Sequence, residues 1–374
     1  MPGRKLIKFF VVIIIILLLT AGGALIIFRS KSVWNKQVES ALKSTECKTV
    51  TGPRYGKNYY NGPLIDTHYH IPDLTLPIIG DFGALDQVSP SLGLNLTISD
   101  IVCTLNQENT TKVFAFFPVY PEISDYHIEL AKRTMQKYPD KFVPFIMPPE
   151  HDNSPNGFPT VDAKTLSKML SVYPGLFRGF GEIGLYERQG GAPALPPNSP
   201  RLTEIYPVVQ SNKLVVYFHL GENQKESFEK VLYQNPDINF IWHGDQLIPG
   251  EQDGMQDLSN IEDIIRNHPN AFYTIDELYG NKWMIKPEVK KEEFLNYLED
   301  YENLLQYDLN NWKWIIEKYP NQFMWGTDRS DQVLWSHDLE VGQALSNYAR
   351  AFIAGLNTNV QENFAYRNAE RLLQ

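Results

Sequence analysis

Cysteine is scarce in this 374-residue chain: Cys47 and Cys103 are the only two. A multi-disulfide framework is excluded, a single bridge stays open, and the lack of any C-x-x-C pair removes the usual structural zinc motifs. Histidine is sparse as well, eight in all, so the places where histidines fall are informative. Positive charge is in deficit. The formal net charge is −10, without the basic footprint of a nucleic-acid surface, and no nucleic-acid partner is expected. No glycine-rich phosphate turn follows an early strand, which argues against an open dinucleotide-binding sheet. Internal repeats and low-complexity tracts are missing too. What remains, 43% hydrophobic and 21% charged residues, suits a folded globular body.

Long hydrophobic runs are absent except for one. From Leu6 to Phe28 the chain reads LIKFFVVIIIILLLTAGGALIIF, and about 20 apolar residues span a bilayer. The run exceeds the 7–15-residue core of a signal peptide, which favours an uncleaved transmembrane helix over residues 1–29. Arg4 and Lys5 precede it, Lys8 interrupts its start, and Arg29, Lys31 and Lys36 follow, so charge sets orientation only weakly. The expectation is a single-pass membrane protein with a cytoplasmic N-terminus and an extracytoplasmic body. The sequons at Asn95 and Asn109 are compatible with that side.

Residues 30–62 read as a juxtamembrane stalk with a short helix near Val33–Leu42. Beyond them, β-rich apolar runs recur at Leu64–Ile71, Val113–Val119, Phe142–Met147, Phe177–Leu185, Leu214–Leu220, Asn239–His243, Ala271–Ile275 and Gln322–Thr327. Helix-like segments separate most of them, among them Ser124–Tyr138, Asp162–Tyr173, Gln224–Gln234 and Leu258–Asn267, with Ser124 and Asp162 as N-cap types. Eight strands alternating with helices predict a (β/α)8 TIM barrel over residues 63–374. A helical insertion is expected at about 281–318, and a closing helix over Val360–Gln374.

The first strand, LIDTHYH, ends in two histidines one residue apart. Residues i and i+2 of a strand share a face, so His68 and His70 project together. The pair alone fits either a metal site or two polar residues at a strand end. Active sites of these barrels lie at the C-terminal strand ends, and there the chain also offers Glu182 on strand four, His219 on five, His243 on six and Asp328 after eight. Five strands ending in ligand-type residues would crowd one rim with polar groups that are costly to bury unless a cation joins them. A divalent metal is expected. Zinc suits imidazole and carboxylate donors best, with manganese, iron and nickel also compatible. Asp276 and Glu277 after strand seven read as supporting carboxylates or as turn residues, and His151 as a rim residue. Trp242, Trp325 and Trp335 are expected near the mouth, and His127 and His268 at the surface. Arg178 reads as an internal ion-pair partner, and Arg329 as facing an anionic substrate or solvent.

The series HxH on strand one, Glu on four, His on five, His on six and Asp on eight resembles the amidohydrolase superfamily of metal-dependent hydrolases, from about Pro63 to the C-terminus. The closing NFAYRNAERLL is similar to the end of the amidohydrolase-related branch, and GEIGL to the strand-four motif of TatD-type members. A carboxylated lysine, common on strand four of other members, has no counterpart at Glu182. The resemblance implies a first ion on His68, His70 and Asp328 and a second on His219 and His243, with Glu182 shared. A lone ion would take His68, His70, His219 and Asp328 and leave His243 to the substrate. Asp328 would move the proton of the attacking water. The implied activity is hydrolysis of an amide, ester, lactone or phosphoester bond in a small molecule. Metal-dependent decarboxylation and TatD-like nuclease activity are alternatives, and the acidic charge speaks against the latter. A binding protein that kept only the barrel would have no use for the complete donor set.

Overall fold

The computed structural model describes residues 32–74, 92–93, 95–148, 157–187, 193–252, 254–280, 285–286, 288–329 and 333–374. The apolar run Leu6–Phe28 and His151 lie outside them, and among the described residues no helix is long and apolar enough to cross a membrane.

Helix α1 (32–41) leads into strand β1 (Leu64–His70), then α2 (Ile98–Gln107), β2 (Thr110–Pro118), α3 (Ser124–Lys137), β3 (Phe142–Met147), α4 (Ala163–Val172), β4 (Gly179–Gly184), α5 (Pro200–Ser211), β5 (Val215–His219), α6 (Lys225–Gln234) and β6 (Phe240–His243). A small hairpin, β7 (Glu251–Gln252) and β8 (Met255–Gln256), precedes α7 (Ser259–Asn267) and β9 (Ala271–Ile275). Helices α8 (Lys291–Tyr297) and α9 (Tyr301–Lys318) lead to β10 (Phe323–Trp325), and α10 (Leu339–Ala354), α11 (Thr358–Glu362) and α12 (Asn368–Arg371) finish the chain. The large sheet is parallel, in the order β1-β2-β3-β4-β5-β6-β9-β10. It is a nearly closed eight-stranded barrel with alternating helices, as the strand periodicity predicts.

Alternation along the strands builds two cores. Phe114, Phe116, Phe145, Tyr217, Ile241 and Met324 fill the barrel interior, where Leu372 of the C-terminal segment joins them. Val113, Ala115, Phe117, Phe218, Trp242 and Trp325 pack outward beneath the helices. Trp242 rests on Phe228 and Tyr273, so Trp242 and Trp325 belong to the wall, not to the mouth. Their strand phase decides this, since each is one residue removed from an inward position.

The seam between β1 and β10 is stitched largely by side chains. Asp66 accepts from Thr327 N at 3.0 Å and Thr327 Oγ1 at 2.6 Å, and Thr67 Oγ1 donates to the Trp325 carbonyl at 2.8 Å. One backbone bond, His70 N to Arg329 O at 3.3 Å, continues the join. Burial pushes the Asp66 carboxyl up to about 6, against the Arg329 charge and the bonds from Thr327.

Several local expectations are corrected. The stretch 30–62, expected as a stalk, is folded onto the barrel from residue 32: Trp34, Val38, Ala41, Tyr55 and Tyr60 are buried. Arg350 of α10 clamps it, donating to the Tyr60 and Gly62 carbonyls at 3.0 and 2.7 Å. Cys47 and Cys103 form a disulfide, with Cα atoms 5.5 Å apart, that ties this segment to α2. Ser124 does not cap α3, which continues from a 3-10 turn over Pro121–Ile123, whereas Asp162 caps α4 by accepting from Thr165 N. The expected insertion resolves into two parts. Helix α9 is a barrel helix whose Trp312 stacks on Tyr273, and α8 is the addition, packed through Phe294 on Trp335.

His127 is also corrected: it is 3% exposed, accepts from Tyr120 N through Nδ1, and is held down to about 3 by burial. Asp73, 3.9 Å away and partly hydrated, is too distant to offset that burial. A histidine buried neutral contributes full stability above the unfolded value of about 6.5 and loses it as pH falls towards the folded value. Between pH 7 and pH 5 the chain is expected to lose about 2 kcal/mol through this group. The measurement is urea denaturation at both pH values, with His127→Gln losing correspondingly less. Equal losses in both proteins would refute the assignment.

Candidate metal centre

The polar residues lie in the C-terminal part of β1, β4, β5 and β6 and just beyond β10, so the barrel geometry itself gathers them. Around one point lie His68 Nε2, His70 Nε2, Glu182 Oε2 and Asp328 Oδ1. His68 Nε2 is 3.1 Å from His70 Nε2, 3.3 Å from Glu182 Oε2 and 3.2 Å from Asp328 Oδ1. His70 Nε2 is 3.2 Å from both carboxylate oxygens. Four donors about 2.0–2.1 Å from a tetrahedral zinc ion stand about 3.3–3.4 Å from one another. The other Glu182 oxygen, Oε1, lies 3.2 Å from His219 Nδ1 and 2.9 Å from His243 Nε2. Glu182 thus faces two separate donor sets with its two oxygens. All six residues expected at the rim meet here.

Asp276 sits behind both sets. Its Oδ2 is 2.5 Å from His68 Nδ1 and 2.9 Å from His243 Nδ1. A carboxylate at Nδ1 fixes the proton there and leaves Nε2 as a lone pair turned to the centre. Gln246 Oε1, 2.9 Å from His219 Nε2, plays the same part for the third imidazole. The walls beneath are apolar, with His68 edge-on to Phe116 and 5.2 Å from the Tyr217 ring.

Without an ion, histidine protons and carboxylates balance one another across the site. Burial works to raise the Glu182 carboxyl, but the His243 charge and the bonds from His219, His243 and His68 hold it well below the usual range. Burial works to lower His243, but Asp276 and Glu182 carry it well above an ordinary imidazole. His68 is raised in the same way, against burial, chiefly by Asp328. His219 is lowered, by burial first and then by the His243 charge. Glu277 is pushed up to about 8, by burial and then by Asp276 and Asp245. A proton can bridge one pair of these atoms. His68 Nε2 and His70 Nε2 each stand 3.1–3.3 Å from the other and from the Glu182 and Asp328 oxygens, a spacing that suits a divalent cation.

Other expected site residues fall elsewhere. Arg329 turns inward, fully buried, with its guanidinium 2.7 Å from Glu108 Oε1 and over the Tyr69 ring. It meets neither substrate nor solvent, because the residue after Asp328 lies back against β1 at the seam. Arg178 forms no internal ion pair among the described residues and donates to the Leu373 carbonyl. Trp335 packs on Phe294 and donates to the Val289 carbonyl, and His268 is the partly exposed C-cap of α7. Asp328 itself has φ +46°, a left-handed backbone that an aspartate tolerates better than most residues.

No protein-family model and no curated protein matches the chain. Solved structures do. An amidohydrolase from Burkholderia multivorans with bound HEPES superposes with a TM-score of 0.51 at 13% identity, covering 83% of this chain and 99% of that one. The same amidohydrolase with bound zinc gives 0.50 at 13% identity, over 83% and 99%. A probable 2-pyrone-4,6-dicarboxylic acid hydrolase from Acinetobacter baumannii gives 0.49 at 13% identity, over 83% and 98%. At such identities the likeness establishes the barrel fold.

Proposed function

We propose that the chain is a metal-dependent hydrolase of the amidohydrolase superfamily that cleaves an amide, ester, lactone or phosphoester bond in a small substrate. The observation that carries this reading is the pair of donor sets that Glu182 faces, each pointing nitrogen lone pairs and carboxylate oxygens at one another. His68, His70, Glu182 and Asp328 would hold one divalent ion, and Glu182, His219 and His243 a second, with zinc as first choice. Ions bound there would lower the pKa of water to about 7 and polarise the scissile bond. The chain's own contributions are distinct. Asp328, at 23% the more exposed of the two carboxylates, would take the proton of the attacking water and pass it to the leaving group. Help of this kind typically contributes about 10²–10⁴-fold. The apolar ring of Phe116 and Tyr217 below the donors keeps bulk water out of the barrel interior. Two donor sets favour hydrolysis over decarboxylation by a single ion.

We further propose that the body is extracytoplasmic and anchored by the segment Leu6–Phe28. The Cys47–Cys103 disulfide supports an oxidising compartment, and the side chains of Asn95 and Asn109 are exposed.

Elemental analysis of the purified full chain tests the reading. Two equivalents of zinc or another transition metal are expected, falling to one at most in His68→Ala/His70→Ala, together with loss of hydrolysis across a panel of esters, amides and phosphodiesters. A folded wild type that holds no metal after incubation with zinc or manganese would sink it.

A further inference from the structure

Gln246 stands three residues beyond His243, in the turn after β6. Its side chain is half-buried, and its amide oxygen reaches back to His219 Nε2 at 2.9 Å. The turn is shaped for that reach. Gly244 has φ +88°, and a Cβ there would stand 2.4 Å from Gln246 Oε1 and 2.8 Å from His219 Nε2. Any side chain at Gly244 would occupy the space through which the amide meets the imidazole. Tyr273 donates to the Gly244 carbonyl at 3.0 Å and holds the turn against β9. The Tyr186 ring, 4.5 Å from the His219 ring, limits rotation on another side.

An amide oxygen accepts, so with Oε1 turned to it, Nε2 of His219 is the nitrogen favoured to carry the ring proton. Nδ1 then presents a lone pair towards Glu182 Oε1 at 3.2 Å. Without the amide oxygen the ring is free to carry its proton on Nδ1 and donate it to Glu182, which blocks that nitrogen as a ligand. His68 and His243 are different, since Asp276 fixes both. Among the described residues Gln246 bonds to the His219 imidazole, and that imidazole faces Glu182 Oε1, not the His68–His70–Asp328 group.

We propose that Gln246 is a positioning residue that sets the His219 tautomer and thereby the affinity of the second ion position, with the first left unaffected. This rests on the two-ion reading above. Loss of such a supporting hydrogen bond weakens a metal site by about 10–100-fold.

The test is calorimetric titration of the metal-free full chain with zinc, alongside cobalt(II) absorption spectra. In Gln246→Leu the first equivalent should bind with unchanged affinity, which also shows that the barrel is folded. The second should weaken by about 10–100-fold, and the cobalt bands that grow with the second equivalent should fade. Gln246→Glu, which keeps an acceptor on Nε2, should restore the second equivalent. Gly244→Ala should resemble Gln246→Leu. If Gln246→Leu binds both equivalents as the wild type does, the proposal is overturned while the two-ion reading stands. If both equivalents weaken together, the role is merely structural and the proposal fails. A wild type that takes up a single equivalent overturns the proposal and the two-ion reading at once.

Discussion

Asp276→Ala is expected to weaken both ions together, each by about 10–100-fold, and so to cost more activity than loss of a support serving one ion. The reason is a shared atom. Asp276 Oδ2 accepts from His68 Nδ1 and from His243 Nδ1, and these two imidazoles stand in different donor sets. Removing the carboxylate frees both rings to turn and to move their protons to Nε2. It also takes away the negative charge that makes Nε2 a better donor. Asp276→Asn keeps an oxygen of the same shape without the charge, so its effect should lie between wild type and alanine. The measurement is zinc titration of the three proteins, with hydrolysis followed at limiting and at excess zinc. Excess zinc should recover much of the lost rate. An alanine variant that loses one equivalent and keeps the other would show that the two histidines do not depend on this residue jointly.

A second large effect belongs to stability. Glu108→Ala should destabilise the chain by about 3–5 kcal/mol, because it leaves the Arg329 guanidinium buried without its charge partner. Arg329 is 0% exposed and sits over the Tyr69 ring, 5.3 Å from its centre. Glu108→Ala/Arg329→Met removes both charges and should recover a large part of the loss, since a buried pair costs desolvation that an apolar replacement does not. Urea denaturation of the single and double variants measures both terms. A loss below about 1 kcal/mol in the single variant would mean that Asp66, the other acid near Arg329, already balances the charge.

The barrel could be read from the chain because its signals are local and periodic. Apolar runs such as Phe142–Met147 and Ala271–Ile275 coincide with strands to the residue. The convergence of His68, His70, Glu182, His219, His243 and Asp328 was legible for the same reason, as each lies in the C-terminal part of a strand or just after one, and that side of the strands forms one rim. What could not be read depends on partners far apart in sequence. Glu108 looks like any acid after a helix, and its partner Arg329 lies 221 positions away. Gln246 carries no motif, and only the fold brings it to His219. Asp66 sits inside the D-T-H-Y-H run, where the histidines draw attention, yet it carries much of the seam. His127 looked like a surface residue because α3 is polar on average, and only packing shows which of its faces is turned inward.

The seam has a consequence for how the chain survives. The joint between β1 and β10 is where side chains replace a regular ladder, and the proposed first ion would grip both of its banks: His68 and His70 on one, Asp328 on the other. An ion bound there works as a clasp on a ring. Each tenfold rise in free ion above the dissociation constant adds about 1.4 kcal/mol to the closed form. With the proposed ion removed by a chelator, this joint is expected to loosen first, and limited proteolysis should then cut nearest to it. On that reading, the supply of metal would set the lifetime of the protein as well as its turnover.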